Sequence, residues 1–121
     1  MAVEYQIAQK LHACTDPDTE ERPNLRVHDT VDLVLLRETF FASGATPSLR
    51  AACESVFAAC ATEAAATGEI EPRAWPPTLI AHAHWTEPFS RLAAESAIDG
   101  DLAAAIASIN GWIAEIAKAE A

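Results

Sequence analysis

His82 and His84 in the segment AHAHW are the side chains whose type and spacing most invite chemistry, because two imidazoles one residue apart chelate a single ion when the backbone is extended. On an α-helix the same pair points about 200° apart and cannot share a ligand. The flanking residues read as helix, so one histidine is expected to face the core and the other solvent. Only an irregular backbone near Pro88 would bring the two rings together. Cys53 and Cys60 in CESVFAAC form the second candidate set. They share a helix face but stand roughly 10.5 Å apart along its axis, beyond the roughly 7 Å that bridged Cα atoms span. With Leu49 and Val56 they read as small buried hydrophobes on an apolar seam. The alternative is a metal or small-ligand site in which His12 and Cys14 of the first helix join Cys53 and Cys60, with His82 or His84 completing it. No paired CxxC spacing of the zinc type supports that alternative.

Other chemistries find less. Glu38, Glu54 and Glu63 fall on helices able to face one another, but the Glu-x-x-His motif of carboxylate-bridged bundles is missing. There is no GxSxG elbow, Gly-rich phosphate cradle, HExxH or EF-hand loop. The residues therefore lean away from an enzyme, and no cofactor is expected.

The elements that must carry these residues are helical. Alanine makes up about a fifth of the chain and glycine is scarce, which favours helix on intrinsic propensity. Val3, Ile7, Leu11 and Cys14 recur at helical spacing and define a first helix that stops before TDPDTEERPN, an acidic loop between Pro17 and Pro23. Asp29 is placed to cap a second helix running to about Ser43 with Gly44 as its stop. Val31, Leu33, Val34, Leu35 and Leu36 surround its axis, so it should be the most buried element. A strand over 31–36 is the rival reading, but RETFFAS carries the segment past strand length. Thr46 as N-cap, Pro47 at the first helical position and Gly68 after Thr67 bound a third helix. EIEPRAWPP, about residues 69–77, cannot be regular helix because its prolines delete donors and fix backbone angles. Helix should resume near Thr78, with a kink or break at Pro88 and Thr86 as a second cap. Asp101 caps the last helix, whose Leu102, Ile106, Ile109, Ile113 and Ile116 form a heptad-like seam. Gly111 within it is read as a point of close backbone approach. The fold expected is all-α, a bundle of five or six helices in one domain over residues 1–121.

FFASGATPSLRAA, followed later by AESAIDGDLAAAIASINGWI, resembles the last helices of the ligand-binding domains of FadR-type transcriptional regulators. In that family a helix ends before a Gly-Asn-Pro-like turn, and a Gly-Asp turn precedes the closing helix. The resemblance covers at most the C-terminal two-thirds of the chain and implies a similar helix arrangement. Leu36, Ser90 and Trp112 stand near where the metal-binding histidines of many members would fall, so no functional residue carries over.

Charge narrows the partners. Against 18 acidic side chains there are 8 basic ones, a net charge of −10 on 121 residues. So few dispersed cations cannot form the positive stripe that nucleic acid or an anionic membrane requires, and neither is an expected partner. The N-terminus lacks the apolar stretch of a signal peptide and three cysteines make an odd count, so a cytoplasmic protein is expected. The function these features favour is a non-catalytic interaction module: an adaptor, an accessory subunit, or an inhibitor of a basic target. Trp75, held on stiff backbone before Pro76 and Pro77, and the loop carboxylates Asp16, Asp18, Glu20 and Glu21 are its candidate contacts. An oligomeric structural subunit paired through the seam of the last helix is a further alternative.

Overall fold

Helix ends fix this architecture more sharply than helix interiors do. The computed structural model describes residues 2–68 and 73–119, and among them every regular element is helical. They are α1 (Val3–Cys14), α2 (Val27–Phe40), α3 (Pro47–Thr67), α4 (Thr86–Glu95) and α5 (Leu102–Lys118). A single 3₁₀ turn, Ala83–Trp85, leads into α4. The all-helical bundle read from the sequence is therefore the observed fold, with five α-helices.

Three ends follow directly from local chemistry. Thr46 accepts a hydrogen bond from the Leu49 N–H at 3.2 Å, Pro47 occupies the first helical position of α3, and Gly68 ends it in the left-handed conformation at φ 68°. Asp101 caps α5 by accepting the Ala104 N–H at 2.9 Å. Elsewhere tertiary contacts override the local signal. Asp29 does not cap α2: the Asn24 side chain accepts the Arg26 N–H at 2.9 Å, and the helix begins three residues earlier than an Asp29 cap would set it, at Val27. Asp29 then lies in the first turn, paired with Lys10 of α1 at 3.3 Å. At the other end α2 stops at Phe40 rather than Ser43, because Phe41 turns inward to pack on Trp112 with ring centroids 6.1 Å apart.

Helix does not resume at Thr78. Residues 73–82 follow an irregular path, with residues 69–72 of the Pro-rich connection outside the described set. Leu79 explains the difference: its N–H donates to Asn110 Oδ1 at 2.8 Å and its carbonyl accepts from Asn110 Nδ2 at 3.0 Å. The α5 side chain thus satisfies both backbone groups that a helix would otherwise use. Pro88 then falls in the first turn of α4, where proline is tolerated, and Thr86 is the first helical residue without a capping bond.

The core lies where α1 packs most extensively on α3 and then on α2, with α5 closing the other side against α2, α3 and α4. Ile7, Leu11, Leu33, Leu49, Phe57 and Phe89 fill it with the two indoles of Trp85 and Trp112. α2 is not the most buried element: Val31 and Leu33 are buried, whereas Val34, Leu35 and Leu36 are only partly covered. Leu102, Ile106, Ile109, Ile113 and Ile116 are all buried in the chain's own core, each contributing roughly 1.5–3 kcal/mol of transfer energy. The seam of α5 is consumed inside the fold and is not the exposed pairing face that an oligomer would need. Gly111 is not a close-approach point either, since a Cβ there would meet nothing within 4 Å. Because glycine carries an entropic penalty in a helix interior, Gly111→Ala should raise the unfolding free energy by about 0.5–1 kcal/mol, read as a higher midpoint in urea denaturation.

Candidate functional site

α1 ends at Cys14, leaving carbonyls that need donors and favour positive charge. Two distant side chains supply them. Arg73 donates to the His12 carbonyl at 3.0 Å and the Thr15 hydroxyl at 2.7 Å, and forms a short ion pair with Asp16. Asn24, 5% exposed, donates through Nδ2 to the carbonyls of Cys14 at 3.2 Å and Asp16 at 2.8 Å. These bonds fold the acidic loop back against the helix that precedes it.

Asn24 also reaches the other side of the loop. Its N–H donates to Asp18 Oδ1 at 2.7 Å, and its carbonyl accepts the indole N–H of Trp85 at 2.9 Å. Trp85 is buried, so the two backbone groups of Asn24 fix both the carboxylate and the segment bearing the histidines. His82 has extended backbone, φ −66° and ψ 136°, and the 3₁₀ turn follows immediately. Both rings consequently lie on the same side, stacked at 5.7 Å with an interplanar angle of 17°. His84 Nε2 is 3.0 Å from Asp18 Oδ1 and His82 Nδ1 is 3.9 Å from Oδ2. Trp85 meets the His82 ring edge-on at 4.8 Å. The Asn24 N–H, helped by His84, holds the Asp18 carboxyl below its ordinary value of 3.8. A cleft of about 460 Å³ opens beside this group, bordered by Thr15, Asp16, Asp18, Ile80 and His82. Ile80 is 61% exposed there.

The expectation that His82 and His84 diverge is thus corrected, because the backbone before α4 is extended rather than helical. Among the described residues, Asp18, His82 and His84 are the one group of three or more metal-capable side chains within ligand reach of one another. His12, Cys14, Cys53 and Cys60 are not brought together in this way. Cys14 and Cys53 are buried, which pushes both thiols up to about 12 and away from the thiolate form a metal needs. Cys60 is half-buried on α3. His12 packs edge-on against Phe57 at 4.9 Å. Glu38, Glu54 and Glu63 do not converge either, and Glu54 pairs with Arg50.

The proposed partner contacts divide. Trp75 is half-buried and folds back onto Phe57 at 5.4 Å, while one edge lines a second cleft of about 440 Å³ with Arg50 and Glu54. Asp16 and Asp18 are held by Arg73 and Asn24, whereas Glu20 and Glu21 are exposed. Asn24 and Arg73, which build the corner, went unread in the sequence. The available signal was an Asn just after Pro23 and before a helix, a position where its side chain substitutes for backbone donors and acceptors.

A protein-family model described as the nucleotidyl transferase AbiEii toxin of the type IV toxin–antitoxin system matches residues 1–110. The chain belongs to that family. No curated protein matches it. AbiEii membership replaces the likeness to FadR-type regulators, whose shared features, the turn before Pro47 and the Asp101 cap, are ordinary helix-end chemistry. Nucleotidyl transfer is commonly assisted by magnesium held through carboxylate and water oxygens. The Asp18–His82–His84 set offers two nitrogens and one carboxylate and does not fit that ion. Among the described residues of this AbiEii chain, no helix is long and apolar enough to cross a membrane.

Two outcomes test this corner. Asn24→Ala removes the side-chain bridge between the carbonyls at the α1 end and the Arg26 N–H ahead of α2, while the backbone bond to Asp18 stays, and should lower unfolding free energy by about 2–3 kcal/mol in urea, the scale of buried groups left without partners. His12 responds to pH. Burial, reinforced by Arg73, holds its pKa below the ordinary 6.5. The unfolded chain therefore takes up a proton first, and stability must fall as pH drops below about 6.5 toward the folded value. Thermal denaturation across that window should show this slope, and His12→Asn should flatten it.

Proposed function

We propose that this AbiEii-family chain is a non-catalytic helical module of a type IV toxin–antitoxin system, docking on a basic protein surface. It would act in the cytoplasm as an accessory part or inhibitor rather than as the carrier of transfer chemistry. The observation that carries this reading is the donor inventory: the one convergent ligand group among the described residues is nitrogen-rich and unsuited to magnesium-assisted phosphoryl chemistry.

The charge distribution supports the partner class. Lys10, Arg26, Arg37, Arg50, Arg73 and Arg91 are each held in ion pairs within the chain. Little positive charge is left to approach nucleic acid, while the net charge of −10 remains to steer a cationic partner. Glu20 and Glu21, exposed at the tip of the acidic loop, are the carboxylates best placed for that contact.

The purified chain, incubated with magnesium, radiolabelled nucleoside triphosphates and RNA, should transfer no label. Its association with the cognate component of the toxin–antitoxin pair should slow by roughly tenfold or more between low and high salt. Glu20→Lys with Glu21→Lys should slow it further at low salt. Nucleotide transfer by the chain alone, or association indifferent to salt, would overturn the proposal.

A further inference from the structure

We infer that Asp18, His82 and His84 form a binding site for a borderline transition-metal dication of the zinc class, with at least one coordination position left to water or an incoming ligand. The donor set, two imidazole nitrogens and one carboxylate oxygen, is the combination that such ions take in three-ligand sites. The geometry is close to what binding demands. The three donor atoms already lie within 4.8 Å of one another, and two of them, His84 Nε2 and Asp18 Oδ1, are 3.0 Å apart. A tetrahedral ion with bonds of about 2.0–2.1 Å sets its ligands about 3.3–3.4 Å apart.

The supporting contacts are those of a built site. Asp18 is oriented by the Asn24 N–H at 2.7 Å, and Asn24 is itself 5% exposed. Buried Trp85 bonds to the Asn24 carbonyl and packs against the His82 ring, so one anchored pair positions donors from both segments. Such outer contacts hold ligand orientation and carry much of the affinity of metal sites. His82 is the more covered imidazole and His84 the more open one, with side-chain exposures of 12% and 42%. Asp18 and His82 also border the cleft of about 460 Å³, which gives an incoming ligand a path to the open position. A bare hydrogen bond between Asp18 and His84 would use one histidine. The alignment of the second ring on the same carboxylate is what a shared ion accounts for.

The test uses the whole chain expressed without a histidine tag, stripped with chelator and titrated with zinc by calorimetry. One equivalent should bind and raise the melting temperature, and cobalt substitution should give the visible absorption of a tetrahedral site. His84→Ala and His82→Ala should each weaken zinc binding about tenfold or more, while magnesium in excess should not compete. Exposed His84 makes the first variant safe for folding, verified by an unchanged circular dichroism spectrum and chelator-treated melting temperature. No stoichiometric binding, or binding that survives both histidine substitutions unchanged, would overturn the inference. Either result is independent of whether the chain transfers nucleotides.

Discussion

The position of one buried amide sets what the rest of this molecule can do. Asn24 sits where α1 has ended and α2 has not begun, and it answers the polar groups of both. A loop crowded with carboxylates and prolines has little reason to hold one shape, since like charges repel and proline withholds donors. Asn24 converts it into a fixed wall through four kinds of contact: carbonyls of the preceding turn, the Arg26 amide just ahead of the next helix, the Asp18 carboxylate and the Trp85 indole. Arg73 adds its charge at the same helix end, where a cation opposes the partial negative charge of the terminal carbonyls. The α1 terminus, the acidic loop and the approach to α4 therefore behave as one unit.

That dependence explains what the sequence discloses and what it withholds. α3 and the start of α5 are legible because their caps are local: Thr46 with Pro47, Gly68, and Asp101 all act within four residues. α1 is legible from the recurrence of Ile7, Leu11 and Cys14, all of which are buried. The stretch before α4 misleads because its backbone is satisfied by Asn110, 31 residues beyond Leu79, and no local pattern announces such a partner. Once Thr78 to His84 is taken as helix, the two histidines are forced apart on paper. The alternative metal set then rests on His12 and the cysteines, and the spacing of Cys53 and Cys60 is regular because they belong to one helical face. Asp29 misleads similarly: it is a good capping residue, but Asn24 has already begun the helix.

Apolar and polar functions are separated in space. The Cys14 and Cys53 thiols and the long α5 seam lie in the interior, where burial keeps those two cysteines protonated and commits the isoleucines to the chain's own core. Ion pairs such as Arg50 with Glu54 and Arg91 with Glu87 run along single helices at i,i+4 spacing and add little stability each. They leave the excess of carboxylates as a field rather than as a set of contacts. Polar groups with long-range, buried partners gather at the corner built by Asn24, Arg73, Asp18 and Trp85.

The 66 residues that separate Asp18 from His84 in sequence carry a consequence for the order of assembly. Chains emerge from the ribosome amino end first, and α1, α2 and α3 can pack on one another before α4 exists. The acidic loop is then made early but waits for Trp85 to arrive before its carboxylate has a facing imidazole. The corner closes only once the segment leading into α4 has been made, so a ligand that needs all three donors meets α1, α2 and α3 already packed.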